Sequence, residues 1–364
     1  YLLRLLEAWE QFAPGELDAW ADERIFVYAD VPYTIADHHA MVADPHETIT
    51  FDAERARKIA SREGDLGTDG RLLVTTSGSL VRAGLLEKLL VPAMAKVSAF
   101  VPGGGIWMNT QRPEWNDANN ALAGTGLSVV TLAHLVRYLR FLRDLCGRIG
   151  QRSLPVSPFV EQWLREIADV LDQPPVAPTD NVRRRALLDA LGSIATAARH
   201  RITAGIGDET VQLRLADVER FCDTALAHLE HSLRQSRRPD RLYHSYNRIS
   251  FPSSTEAAVH HLGEMLEGQV AVLSSGMLGG SETLEILDAL FESGMYRADQ
   301  NSLMLYPVAT RPALLDRNTL DAAQVERLSF VARPIQDRWR PILAMDRDGA
   351  LHFRPAMHNA TALR

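Results

Sequence analysis

Between residues 126 and 149 apolar side chains recur at helical spacing. Leu127, Val130, Leu135, Tyr138, Leu142 and Leu145 form one stripe of an amphipathic helix. The same periodicity predicts helices over 1–13, ended by Pro14-Gly15, and over 52–63, stopped by Gly64 and Gly67. Residues 80–97 read as helical, with Pro92 expected to kink or divide the run. Pro155 and Pro158 introduce a helix over 159–172, and the proline-rich 173–178 closes it. Two amphipathic, charge-rich stretches, 180–204 and 211–236, read as a helical hairpin on the surface. Ser253-Ser-Thr-Glu256 has the form of a capping box, predicting a helix from there to Glu267, and 282–292 is another helix stopped by Gly294. Strand signals are few. Residues 72–76 suit a short strand, and 341–345 with 350–353 suit a hairpin around Asp348-Gly349. The pattern therefore predicts a mostly α protein of about nine helices. It divides into a helical part at 1–175, a helical hairpin insertion at 176–240, a second part of the core at 241–330 and a tail at 331–364.

Composition narrows the class. With 364 residues, 46% of them apolar and 23% charged, the chain suits a soluble globular protein of one large domain or two ordinary ones. A net charge of -7 disfavours nucleic acid as a partner. Apolar runs are short and broken by charge, so no membrane span is expected. No secretory leader pattern is present and there are two cysteines, Cys146 and Cys222, which suits a reducing, cytoplasmic compartment. The first residue is Tyr1 and not Met, as expected of a trimmed piece of a longer protein.

The densest chemistry lies at 112–120. Arg112, Glu114, Trp115, Asn116, Asp117, Asn119 and Asn120 put two carboxylates, an indole and three amides into nine residues, after a glycine-rich run that contains Trp107. Aromatic faces and planar hydrogen-bonding groups bind sugars, and carboxyl groups cleave glycosidic bonds. A general acid must hold its proton at working pH. Trp115 could supply an apolar wall and Glu114 a repelling charge, whereas a following helix N-terminus would favour ionised Asp117. The plainer alternative is that Asp117 and the asparagines are caps and turn formers.

Trp115-Asn116-Asp117, followed by a small residue and Asn119, resembles the Asp-Trp-Asn-Asp-Gly-x-Asn motif of the cellobiose and chitobiose phosphorylases, with Ala118 at the glycine position. These belong to the (α/α)6-toroid glycosidases and phosphorylases. The resemblance implies a toroid-like helical barrel, incomplete in this chain on the helix count, to which the residue pattern adds the small β-hairpin near the C-terminus. It gives Asp117 the role of general acid, and it implies a second carboxylate at a later helix-to-loop junction. Glu267 fits that order, with Gln269 beside it to orient water or a hydroxyl; Glu264 and Glu282 are fallbacks. The expected activity is an inverting glycoside hydrolase acting on an oligosaccharide. Phosphorolysis with inorganic phosphate, or a non-catalytic carbohydrate-binding module, are the alternatives.

Other groups carry weaker signals. Arg241, Tyr243, His244, Tyr246 and Asn247 form a mixed aromatic and polar loop, readable as a sugar subsite or as ordinary packing. Asp37, His38, His39, Asp44 and His46 have metal-ligand composition but no zinc spacing, so no metal and no cofactor are expected. Gly103-Gly-Gly105 lacks the Gly-Lys-Ser/Thr ending of a phosphate loop and suits close backbone approach. Arg183-Arg-Arg185 reads as a solvated helix face.

Overall fold

The computed structural model describes residues 2–110, 121–307, 318–320 and 343–354. Chain contacts divide it into a unit Tyr1–Pro307 and a unit Val308–Arg364.

The expected all-helical toroid is overturned. Among the described residues about 50% are helical and 19% are strand, with a five-stranded curled antiparallel sheet and several smaller sheets. The large sheet has the order Glu256–His261, Tyr246–Ser253, Gly126–Ser128, Gly105–Trp107, Phe100–Val101. Its strands come from three distant parts of the sequence, and no local period reveals such pairing. The presumed capping box at Ser253 is the tip of the hairpin between the two longest strands, in register Asn247↔His261 through Ser253↔Glu256 with a bulge between Ser250 and Ser253. Alternation, not helical spacing, governs that stretch.

The glycine run closes a buried hairpin. Gly105 sits at φ +128, and a Cβ there would stand 2.8 Å from the backbone of Ser128. Residues 105–107 therefore approach 126–128 as closely as they do only because position 105 has no side chain.

Helices cover this sheet. Val129–Ile149 starts directly after strand Gly126–Ser128, with the Ser128 hydroxyl accepting from the Thr131 amide as its cap. It packs on Leu215–Gln235, which in turn packs on Pro158–Leu171. Asn181–Ala204 packs on Pro158–Leu171 and on strand Glu256–His261. Leu188, Leu191, Phe221, Cys222 and Leu226 are buried. The two helices expected as a surface hairpin are thus built into the core. Leu85–Val97 runs unbroken through Pro92. The core is contiguous, from Leu89, Leu90 and Met94 through Phe100 and Ile106 to Leu132, Leu139 and Phe221.

In the second unit, strands Thr319–Leu320, Leu351–Phe353 and Leu343–Met345 form one antiparallel sheet in that order. The last two make the hairpin expected around Gly349, which takes φ +86, and the Asp346 carboxylate accepts from the Asp348 and Ala350 amides.

Candidate functional site

Strand Gly105–Trp107 delivers the chain to one end of the large sheet, and strand Gly126–Ser128 takes it back. Arg112, Glu114, Trp115, Asn116, Asp117, Asn119 and Asn120, all between these strands, lie outside the described residues. Their flanks are described. The Met108 amide donates to the Gly126 carbonyl at 2.9 Å, and the Gly124 amide donates to the Met108 carbonyl at 2.7 Å. The Trp107 indole N–H donates to the Gly124 carbonyl at 2.9 Å. Three hydrogen bonds thus pin both ends of the segment to the sheet.

Trp107 is 2% exposed, so it offers no open face to a sugar. Its ring meets His38 edge-on, with centroids 6.1 Å apart, and Phe251 at 5.9 Å. The Arg185 guanidinium lies 5.0 Å above the Phe251 ring. Both Arg185 contacts to the Asp189 carboxylate are short, 2.9 and 2.8 Å, and His38 Nε2 donates to Asp189 Oδ1 at 2.7 Å. Burial pulls the His38 imidazole below its ordinary pKa, against the raising effect of Asp189. Sequence reading missed Asp189, Phe251 and Gly192, where a Cβ would stand 2.0 Å from His38 Nδ1. The available signal was a glycine in the middle of a long helix, which usually marks a packing requirement.

The histidine-rich stretch does not assemble as a metal site. His38 is engaged with Asp189, Asp37 accepts from His200 at 2.9 Å, and the Asp44 side chain accepts from the His46 amide. Among the described residues no group of three or more His, Cys, Asp or Glu side chains converges as ligands would.

Glu267 lies in the first turn of helix Leu266–Leu273, where its charge complements the helix dipole. Its Oε2 accepts from the Tyr246 hydroxyl at 2.7 Å. Burial and this carboxylate push the Tyr246 phenol up, so Tyr246 remains the donor. Tyr246 pairs with Ser128, whereas the 108–125 clamp is level with Ile249, whose amide donates to Thr125. At a rise of 3.2–3.4 Å per residue the two levels are about 10 Å apart along the strand.

The remaining expected residues are occupied within the fold. Gln269 is fully buried; its amide donates to the Tyr243 carbonyl and its Oε1 accepts from the Tyr243 amide, at 2.7 and 2.8 Å. It clamps backbone, which leaves it no reach toward water or a hydroxyl. Tyr243 is 2% exposed. His244 donates through Nδ1 to the Leu262 carbonyl and stacks on His261 at 4.1 Å. Burial, then the neighbouring His261 and Arg238, lower its pKa to about 4. Glu282 caps the helix Gly280–Glu292 by accepting from the Gly279 amide. Glu264 lines a cleft of about 390 Å³ with Asp240, Arg241 and Glu292. A larger cleft of about 500 Å³ lies between the N-terminal helix and Val129–Ile149, lined by Arg4, Glu7, Glu10, Arg137 and Arg148. Neither cleft includes the clamp.

Of the arginines expected on a solvated helix face, Arg183 is exposed, but the next two are not. Arg184 and Arg185 are 2% and 8% exposed. Arg184 donates to the Pro102 and Ala257 carbonyls at 2.7 and 2.9 Å, and also to Asn181 and Pro178. It ties the glycine-rich hairpin to helix Asn181–Ala204.

The chain matches no protein-family model, and comparison with curated proteins gives no match. No helix among the described residues is long and apolar enough to cross a membrane.

Proposed function

We propose that this protein cleaves glycosidic bonds of an oligosaccharide with inversion, Asp117 protonating the leaving oxygen and Glu267 activating water. The observation that supports this most is the clamp. A segment rich in sugar-binding side chains and two carboxyls is anchored at both ends by hydrogen bonds to a buried sheet. Reactive groups on loops need such a scaffold to meet a substrate in one geometry. In this reading Trp115 supplies the stacking face, and Arg112, Asn116, Asn119 and Asn120 take sugar hydroxyls. Glu267, already held by Tyr246, is the second carboxylate.

Water is favoured over phosphate as the nucleophile for a specific reason. Four described side chains of a type that binds phosphate, near the Tyr246–Glu267 pair in sequence, are engaged within the fold. Arg241 pairs with Glu292, His244 donates to Leu262, and the hydroxyls of Ser274 and Ser275 donate to the Ala271 and Val272 carbonyls.

The test is a screen of cello-, chito-, malto- and laminari-oligosaccharides with and without inorganic phosphate, read by proton NMR of the first-formed anomer. Inverted product without a phosphate requirement is expected. Asp117→Asn should reduce turnover by roughly 10²–10⁴-fold while leaving the melting temperature unchanged. Retained configuration, an absolute need for phosphate, or full activity in the variant each overturns the reading. Binding without cleavage would make the protein a carbohydrate-binding module.

A further inference from the structure

We propose that His38, seated between Asp189 and Gly192, is a positioning residue that holds the Trp107–Gly124 clamp in place. Its consequence for catalysis rests on the function proposed above; the clamp itself does not.

The seat is built from one face of helix Asn181–Ala204. Asp189, Gly192 and Thr196 are spaced three and four residues apart, so they line up along that face. Asp189 accepts from the ring at 2.7 Å, and the Thr196 hydroxyl accepts from the His38 amide at 3.0 Å. Gly192 makes the room. A Cβ at that position would stand 2.0 Å from His38 Nδ1. Glycine inside a helix costs about 1 kcal/mol relative to alanine, and the ring's seat accounts for its presence.

The imidazole is 3% exposed. Filling space alone would be done better by leucine or phenylalanine, since a buried polar ring must be desolvated. What the imidazole adds is direction. The bond to Asp189 orients the ring, and both oxygens of Asp189 in turn accept from the Arg185 Nε N–H. Arg185 also covers Phe251, the second ring against Trp107. Two sides of Trp107 therefore trace back to the Arg185–Asp189 pair. A Trp107 held in one rotamer keeps its N–H on the Gly124 carbonyl, and so keeps the two ends of 108–124 in register.

Two variants test this. Gly192→Ala evicts the ring without altering His38. His38→Phe keeps an aromatic ring but loses the bond to Asp189. Hydrogen-exchange mass spectrometry should show the Met108 and Gly124 amides exchanging roughly ten-fold faster in both, with helix Val129–Ile149 protected as in the parent. On any oligosaccharide the parent cleaves, kcat should fall on the order of 10²-fold with KM nearly unchanged, as misplacement of reacting groups produces. His38→Gln, whose amide still reaches for Asp189, should recover part of both. Unchanged exchange at the clamp overturns the proposal. So does faster exchange spread evenly over the chain with a lower melting temperature, which is the mark of a merely structural residue. Local exchange without cleavage by any form supports the positioning role and removes the functional reading instead.

Discussion

Arg184 uses its guanidinium on backbone carbonyls: those of Pro102 and Ala257 on the sheet side, and that of Pro178 before its own helix. Replacing it with leucine would leave the Pro102 and Ala257 carbonyls buried without this donor, whereas the exposed Pro178 can turn to water. Each buried orphan costs about 1–3 kcal/mol, so Arg184→Leu should destabilise the fold by about 2 kcal/mol or more in urea denaturation. A shift below about 0.5 kcal/mol would mean that water replaces the side chain freely. At this scale the sequence showed the residue types but not their surroundings. Three consecutive arginines in a charge-rich helix look solvated until the strand beside them, drawn from residues 256–261, is known. Trp107 and Gln269 were equally legible as sugar-binding types, and equally dependent on contacts far along the chain. Such contacts turn both into internal fasteners.

Four of the longer helices are legible in the sequence because their period is local, whereas the helix expected from Ser253 to Glu267 is a hairpin. The stripe ending at Ile149 and the helices Pro158–Leu171, Asn181–Ala204 and Gly280–Glu292 lie within a few residues of expectation. Short strands of two or three residues carry no period at all, so Phe100–Val101 and Gly126–Ser128 were absorbed into loop and helix. Pro92 marks the opposite failure, since an expected kink did not break Leu85–Val97. The packing of Leu89, Leu90, Ala93 and Met94 on either side holds the helix together across the missing N–H. Pro92 itself is exposed. Pro92→Ala would restore the bond to the Lys88 carbonyl, partly offset by a freer unfolded chain, for a net gain of about 1–2 kcal/mol. A higher thermal midpoint is the expected result, and an unchanged or lower one would show that the neighbouring contacts require the proline ring.

Across the whole molecule, acid should loosen what neutral pH holds. His38, His134, His228, His244 and His261 all have lowered pKa values, and burial is the first cause in each. The folded protein thus binds fewer protons than the unfolded chain once the pH drops below the ordinary histidine value of 6.5. Stability is complete above that value and falls as the pH approaches about 4, the folded value for His244. The stacked partner His261 reinforces the effect, because a first proton on either ring opposes a second. The thermal midpoint should therefore decline between about pH 7 and pH 5, and His244→Asn should flatten that decline. A midpoint that rises on acidification would contradict the sign. The candidate site was the most legible part of the chain at the level of composition. Its supporting frame was the least, because every element of the frame is a long-range partner.

The order of the large sheet also sets a schedule for the ribosome. Strand Gly126–Ser128 finds one neighbour, Gly105–Trp107, almost as soon as it is made, but its other neighbour begins at Tyr246. At usual elongation rates that gap of roughly 120 residues leaves an open hydrogen-bonding edge for roughly 6–24 s on every nascent chain. Leu127 and Trp107 wait beside that edge. The clamp bonds lie on the side paired early, so the late strand closes the opposite edge of a hairpin that can already hold its own ends together.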